Sequence, residues 1–226
     1  MREQRNFKRE IRFKDVHKII VIALEGAEGK AEDRYFEGIQ GLLNKRTTDQ
    51  PFKVYIHSIP NKDDLSAPSH IFENLNKFNK KDLDLNFKED RSFLLVDYDR
   101  HLPNIIKHDI EKKCKNGDIK LIICRPCFEL WLLLHFEDVS SLDENTKKLL
   151  FTNSKAPAQG KLINNRLTKA CGSANKSNLN FDNYNDHILQ AIENTLKLDN
   201  SDNVIPDCLS ARVDKILNEV GIQHAK

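Results

Sequence analysis

Four short runs of Ile, Val and Leu, separated by helix-length amphipathic segments, restrict this chain more than any other feature of it. The first, residues 18–24, shows no polar alternation, which predicts a strand covered on both faces. It stops at Glu25-Gly26. An amphipathic pattern then covers 31–45, with Tyr35, Ile39, Leu42 and Leu43 on its apolar side. Residues 52–59 predict a second strand, closed by Pro60-Asn61, and 69–79 predict a helix carrying Ile71, Leu75 and Phe78 at helical spacing. A third buried strand over 92–96 runs into Asp97-Tyr98-Asp99. A helix over 102–114 is stopped by Asn116-Gly117, and 119–124 form the fourth strand. Strand and helix in strict alternation argue for parallel βαβ units with right-handed crossovers. The expected class is α/β, a parallel sheet flanked by helices.

The character changes after Pro126. Residues 127–136 are apolar nearly all round, as in a buried helix with proline in its first turn. Helical patterns follow near 143–150, 161–171, 184–198 and 208–220, separated by polar stretches such as 153–160 and 172–180. The expected organisation is a basic arm over 1–17, an α/β core over 18–136, and a helical region over 137–226 packed on that core.

With 39% apolar and 31% charged residues, the chain has the composition of a soluble globular protein. Its apolar runs fall short of a membrane span, and its start lacks the pattern of a signal peptide. Five cysteines without a regular framework suit a reducing compartment, so a cytoplasmic location with no membrane partner is expected. The net charge of +2 does not by itself point to nucleic acid. Its distribution is more suggestive. Residues 1–18 hold seven Lys/Arg against three Asp/Glu, and Lys107, Lys112, Lys113 and Lys115 form a second basic group. Such segments attract polyanions, or are simply solvated surface.

Candidate chemistry gathers at the strand ends. Glu25 follows the first buried strand; Asp97 and Asp99 follow the third, two residues apart and therefore on one face of an extended segment. Ligands of parallel sheets bind at the carboxyl ends of strands. Three carboxylates there repel one another unless a cation lies between them. Magnesium suits such a set, since it takes a few carboxylates together with waters and substrate phosphates. Each piece also has a plainer reading: Asp-x-Asp as a turn or cap, Glu25 as a partner for the next helix terminus. Glu129 lies early in the 127–136 helix. Burial there requires a partner, either a metal-bound water or backbone N–H groups. His135 reads as a core histidine more readily than as a catalytic one. Cys124 and Cys127 have redox or zinc spacing but no second pair, and read as buried small apolar residues. Glu28 and Glu32 fit either a second metal or the acidic first turn of a helix.

Glu-Gly after one buried strand and Asp-x-Asp after another resembles the Toprim module of primases, topoisomerases and phage-defence nucleases, which holds magnesium with these carboxylates. Arg125-Pro126-Cys127-Phe128-Glu129-Leu130-Trp131-Leu132-Leu133-Leu134-His135-Phe136 resembles the Asn-Pro-Cys-Phe-Glu-Leu-Trp-Leu-Leu-Leu-His-Phe signature of the RloB family, with Arg125 in place of the usual Asn. Glu25-Gly26, Lys30, Glu32 and Tyr35-Phe36 resemble that family's Glu-Gly-Glu-Lys-Thr-Glu-Pro-x-Tyr-Phe motif, with Ala31 and Asp33 where Thr and Pro are usual. Ser210-Ala211-Arg212-Val213 resembles its closing segment.

The resemblance implies a Toprim-like core and a metal-dependent nuclease of RNA, transfer RNA included, or of DNA, acting in bacterial anti-phage defence beside an AAA-type ATPase. Mg is the implied cofactor, with Mn able to substitute. Glu25, Asp97 and Asp99 are the expected metal ligands, with Glu129 in a supporting catalytic role. Lys30, Arg125 and Lys176 are candidate substrate contacts. A non-catalytic adaptor of the ATPase and an enzyme acting on a small phosphate are the alternatives, and a homo-oligomer is compatible with either.

Overall fold

The computed structural model describes residues 17–46, 53–61, 67–81, 90–98, 103, 105, 109–153, 155–156, 160–172 and 179–223. The first half consists of β1 (His17–Ala27), α1 (Ala31–Arg46), β2 (Lys53–Asn61), α2 (Pro68–Lys81), β3 (Arg91–Asp97), α3 (Ile110–Asn116) and β4 (Ile119–Arg125). These four strands pair in parallel in the order β2-β1-β3-β4. The mostly parallel α/β class expected from the apolar runs is what forms.

The absence of polar alternation in these strands has a direct structural meaning, because successive side chains feed two different cores. Ile20, Ile22, Leu24, Phe93, Leu95, Ile122 and Cys124 join α1 on one face of the sheet. Val21, Ala23, Leu94, Val96, Leu121 and Ile123 join α2 and α3 on the other. Residues 20–24 are all fully buried. A polar residue anywhere in that run would lose its water on either face.

The chain leaves β1 for β2 through α1 on one face, then returns past β1 to β3 through α2 on the opposite face. The winding therefore reverses between β1 and β3. In α/β sheets generally, such a reversal at the carboxyl ends of the strands is where ligands bind, since the two outgoing connections diverge.

Beyond β4 lie α4 (Glu129–Leu134), a 3-10 turn at Val139–Ser141, α5 (Glu144–Thr152), β5 (Lys155–Ala156), β6 (Gly160–Lys161), α6 (Leu162–Cys171), α7 (Asp182–Asn185), α8 (Ile188–Leu198), β7 (Ser210–Ala211) and α9 (Asp214–Glu219). Buried side chains of α4, α6, α8 and α9 belong to the same core as the α1 face of the sheet. Among the described residues no helix is long and apolar enough to cross a membrane.

Several local expectations need correction. The helix expected over 208–220 is confined to Asp214–Glu219, because Ser210 and Ala211 add an antiparallel edge to β4 instead. Ser210–Ala211 is held on its other side too, where the Thr195 hydroxyl donates to the Ala211 carbonyl at 3.1 Å. The helix expected over 184–198 is two, α7 and α8, and the polar stretch 153–160 contributes to a short β5–β6 hairpin. Pro60 and Asn61 do not stop β2, since this is the outer strand of the sheet, where a missing N–H is tolerated. Helix α4 begins at Glu129, with Pro126 upstream of its first turn. The left-handed residue after α3 is Asp118 (φ 53°), not Gly117 (φ −94°). Most of 102–108, together with the basic arm up to residue 16, lies outside the described residues.

Candidate functional site

β1 continues through Glu25 and Gly26 to Ala27, with a register shift between Ala23 and Ala27. Regular pairing sets Leu24 opposite Leu95, so strict alternation would turn Glu25 and Asp97 to opposite faces. The Glu25 side chain nonetheless reaches the Asp97 backbone at the rim of the sheet. Glu25 Oε2 accepts the Asp97 backbone N–H at 2.9 Å, and Asp97 Oδ1 accepts the Phe128 N–H at 2.8 Å. One carboxylate thus ties β1 to β3, and the next ties β3 to the segment entering α4.

Glu32, in the first turn of α1, folds back on the same corner. A side-chain carbon built on Gly26 would lie 2.5 Å from Glu32 Oε2. Glycine is the residue that admits this approach. Burial, followed by the negative charges of Asp97, Glu32 and Glu25, pushes the Cys124 thiol well above its ordinary range. The thiol therefore stays protonated at neutral pH, and it registers the carboxylates gathered around the end of β4. Cys124 and Cys127 are both buried free thiols, and Cys127 Sγ accepts from Asn153 Nδ2 at 3.6 Å.

The remaining sequence candidates divide clearly. Glu129 is 4% exposed at the start of α4, directly after the residue whose N–H binds Asp97. Lys30 is exposed in the turn that opens α1, and Glu28 is exposed in the same turn. Asp99 and Lys176 lie outside the described residues. Arg125 is taken up by the protein: its guanidinium carbon lies 3.8 Å from the centre of the Tyr98 ring and 3.9 Å from that of Phe151. Its Nη1 donates to the Pro206 carbonyl.

His135 is a core residue. Its Nδ1 lies 3.0 Å from the Trp131 carbonyl and its Nε2 lies 3.1 Å from the Tyr35 hydroxyl. A carbonyl can only accept, so Nδ1 carries the proton and Nε2 accepts from Tyr35.

Sequence pattern undervalued two residues. Asp33, noted in the sequence only as standing where the family motif has Pro, is buried and accepts from Gly29 N–H at 2.9 Å and Ser58 Oγ at 2.7 Å, pinning the rim turn to β2. Glu32, which reads as a second-metal ligand or as part of the acidic first turn of a helix, lies against Gly26, six residues earlier.

The donors at this rim are carboxylate oxygens, which fit a hard divalent cation better than zinc. Among the described residues no three His, Cys, Asp or Glu side chains form a metal-holding group. The described part of the rim accordingly supplies the pair Glu25 and Asp97, with Glu32 beside it.

The family model for RloB-like protein matches residues 20–220. No curated protein and no solved structure matches the chain.

Proposed function

The chain belongs to the RloB-like protein family, and from that premise we propose a magnesium-dependent nuclease that hydrolyses phosphodiester bonds of RNA or DNA at the carboxylate rim. The observation that carries this reading is the meeting of Glu25 and Asp97 at the winding reversal between β1 and β3, with Glu32 folded in beside them.

In this reading Glu25, Asp97 and Asp99 hold the cation, magnesium or manganese. When bound, it supplies neutralisation of charge on the phosphate under attack and a template for in-line displacement. Asp97 is oriented in advance, because one of its oxygens is fixed by the Phe128 N–H. Glu25 completes the metal shell or takes the proton of the attacking water. Glu129 orients that shell from the buried start of α4. Lys30 and Lys176 contact phosphates of the nucleic acid, which position a substrate without reading its sequence. Bacterial anti-phage defence beside an AAA-type ATPase is the setting we propose, with transfer RNA one candidate substrate.

The test is incubation of the full chain with labelled RNA and DNA pools, alone and with the adjacent ATPase. Magnesium, manganese and chelator form the arms. Cleavage with either metal and none with chelator is expected. Full activity after exhaustive chelation removes the mechanism. Salt-sensitive binding without cleavage in any arm points to the adaptor role instead.

A further inference from the structure

We propose that Arg125 is a positioning residue that clamps the end of β3 to the helical region and so holds Asp97 where Glu25 meets it. The guanidinium carbon lies within 4 Å of two ring centres, those of Tyr98 and Phe151. Both rings therefore pack against the one guanidinium. Tyr98 directly follows Asp97; Phe151 belongs to α5. The same guanidinium donates to the Pro206 carbonyl in the chain leading to β7. The Arg125 backbone pairs with Ser210 of β7. One side chain thereby fixes the exit of β3 against two segments of the helical half.

The consequence falls on Asp97. Its N–H and Oδ1 are both engaged, by Glu25 and by Phe128. Both contacts require the backbone at 97 to leave the sheet in one direction. A ring pinned at position 98 sets that direction. Arginine suits the role because its planar cation presents two faces to aromatic rings, whereas lysine offers a single strongly hydrated charge. The clamp stands on these contacts alone; its service to a metal rests on the reading proposed above.

The experiment compares full-length wild type with Arg125→Met, Tyr98→Leu and the double variant, without metal and then with Mn2+. In the metal-free chain, NMR hydrogen exchange at the Asp97 amide reports the bond to Glu25 directly. Arg125→Met should speed that exchange about tenfold, with the amides of residues 20–24 unchanged. Mn2+ titrated by calorimetry should bind about tenfold more weakly to either single variant, and the double variant should lose no more than one of them. Unchanged Asp97 exchange in a folded Arg125→Met protein overturns the clamp, as does equal acceleration across the whole sheet. Altered exchange with wild-type Mn2+ affinity overturns its service to the site. Altered exchange in Arg125→Met, together with a wild-type chain that binds no Mn2+, leaves the clamp standing and removes the metal reading. Should Arg125→Met fail to fold, Phe151→Leu, which keeps the Tyr98 face of the stack, takes its place with the same outcomes at smaller amplitude.

Discussion

His135 is surrounded by Tyr35, Trp131 and Tyr184 rings, and burial there drives its imidazole down to about 3. The sign of the pH effect follows. In the unfolded chain histidine takes a proton below about pH 6.5, while the folded ring refuses it until about pH 3. Stability is therefore complete above pH 6.5 and falls as pH drops through that window, by about 1.4 kcal/mol per pH unit from this residue. Denaturant titrations of wild type and His135→Gln should show that extra slope in wild type alone. Equal slopes would place the ring in contact with water. Asp97→Asn makes the complementary test at the rim. Asparagine keeps an acceptor for the Phe128 N–H, so the fold should survive, while cleavage falls by about 100-fold or more if the charge holds a metal. An Asp97→Asn chain that folds and cleaves like wild type moves the site elsewhere.

Helix α1 contains two glycines with opposite expectations. A side-chain carbon on Gly38 would sit 2.0 Å from the Phe181 ring, whereas Gly41 has nothing within 4 Å. Alanine improves helix propensity at both by up to about 1 kcal/mol. Gly41→Ala should raise the melting temperature. Gly38→Ala should lower it, because overpacking against Phe181 costs about 1–3 kcal/mol of stability. A gain at both positions would mean that Phe181 gives way freely. Helix α9 is tethered differently. Glu219 accepts from Lys18 at 2.8 Å and from Lys120, with Arg91 at 3.9 Å. Burial alone would raise its carboxyl, but the Lys120 and Lys18 ammonium groups outweigh that and hold it at about 2. This stabilisation is present above the ordinary carboxyl value near 4.5 and is lost as pH falls through 2. Glu219→Gln should therefore destabilise the chain at pH 7 by roughly 2 kcal/mol, after allowance for partial exposure. Its difference from wild type should vanish near pH 2; a difference that persists there assigns the effect to packing.

At the scale of the whole molecule, one apolar core joins the α1 face of the sheet to α4, α6, α8 and α9. Removing the second half uncovers that face rather than releasing a finished domain. A fragment ending at residue 136 should bind a hydrophobic dye and melt without a sharp transition; a cooperative melt matching the full chain would make the core independent.

The parallel sheet was legible because it depends on local pattern. Runs such as 20–24 are apolar at every position, and a strand buried on both faces is the arrangement that uses them all. Glu25 and Asp97 were legible for the same reason, as the carboxylates that stop two such runs. What local pattern does not contain is the partner of each residue. That Ser210–Ala211 pairs with β4 follows from a free strand edge, not from its own sequence. That Glu32 reaches Gly26, and that Arg125 packs against both Tyr98 and Phe151, are meetings of residues on different elements. Periodicity reports which side of an element is apolar; only the packed chain decides which polar groups come to share a corner, because that depends on register, crossing and the space left between neighbours.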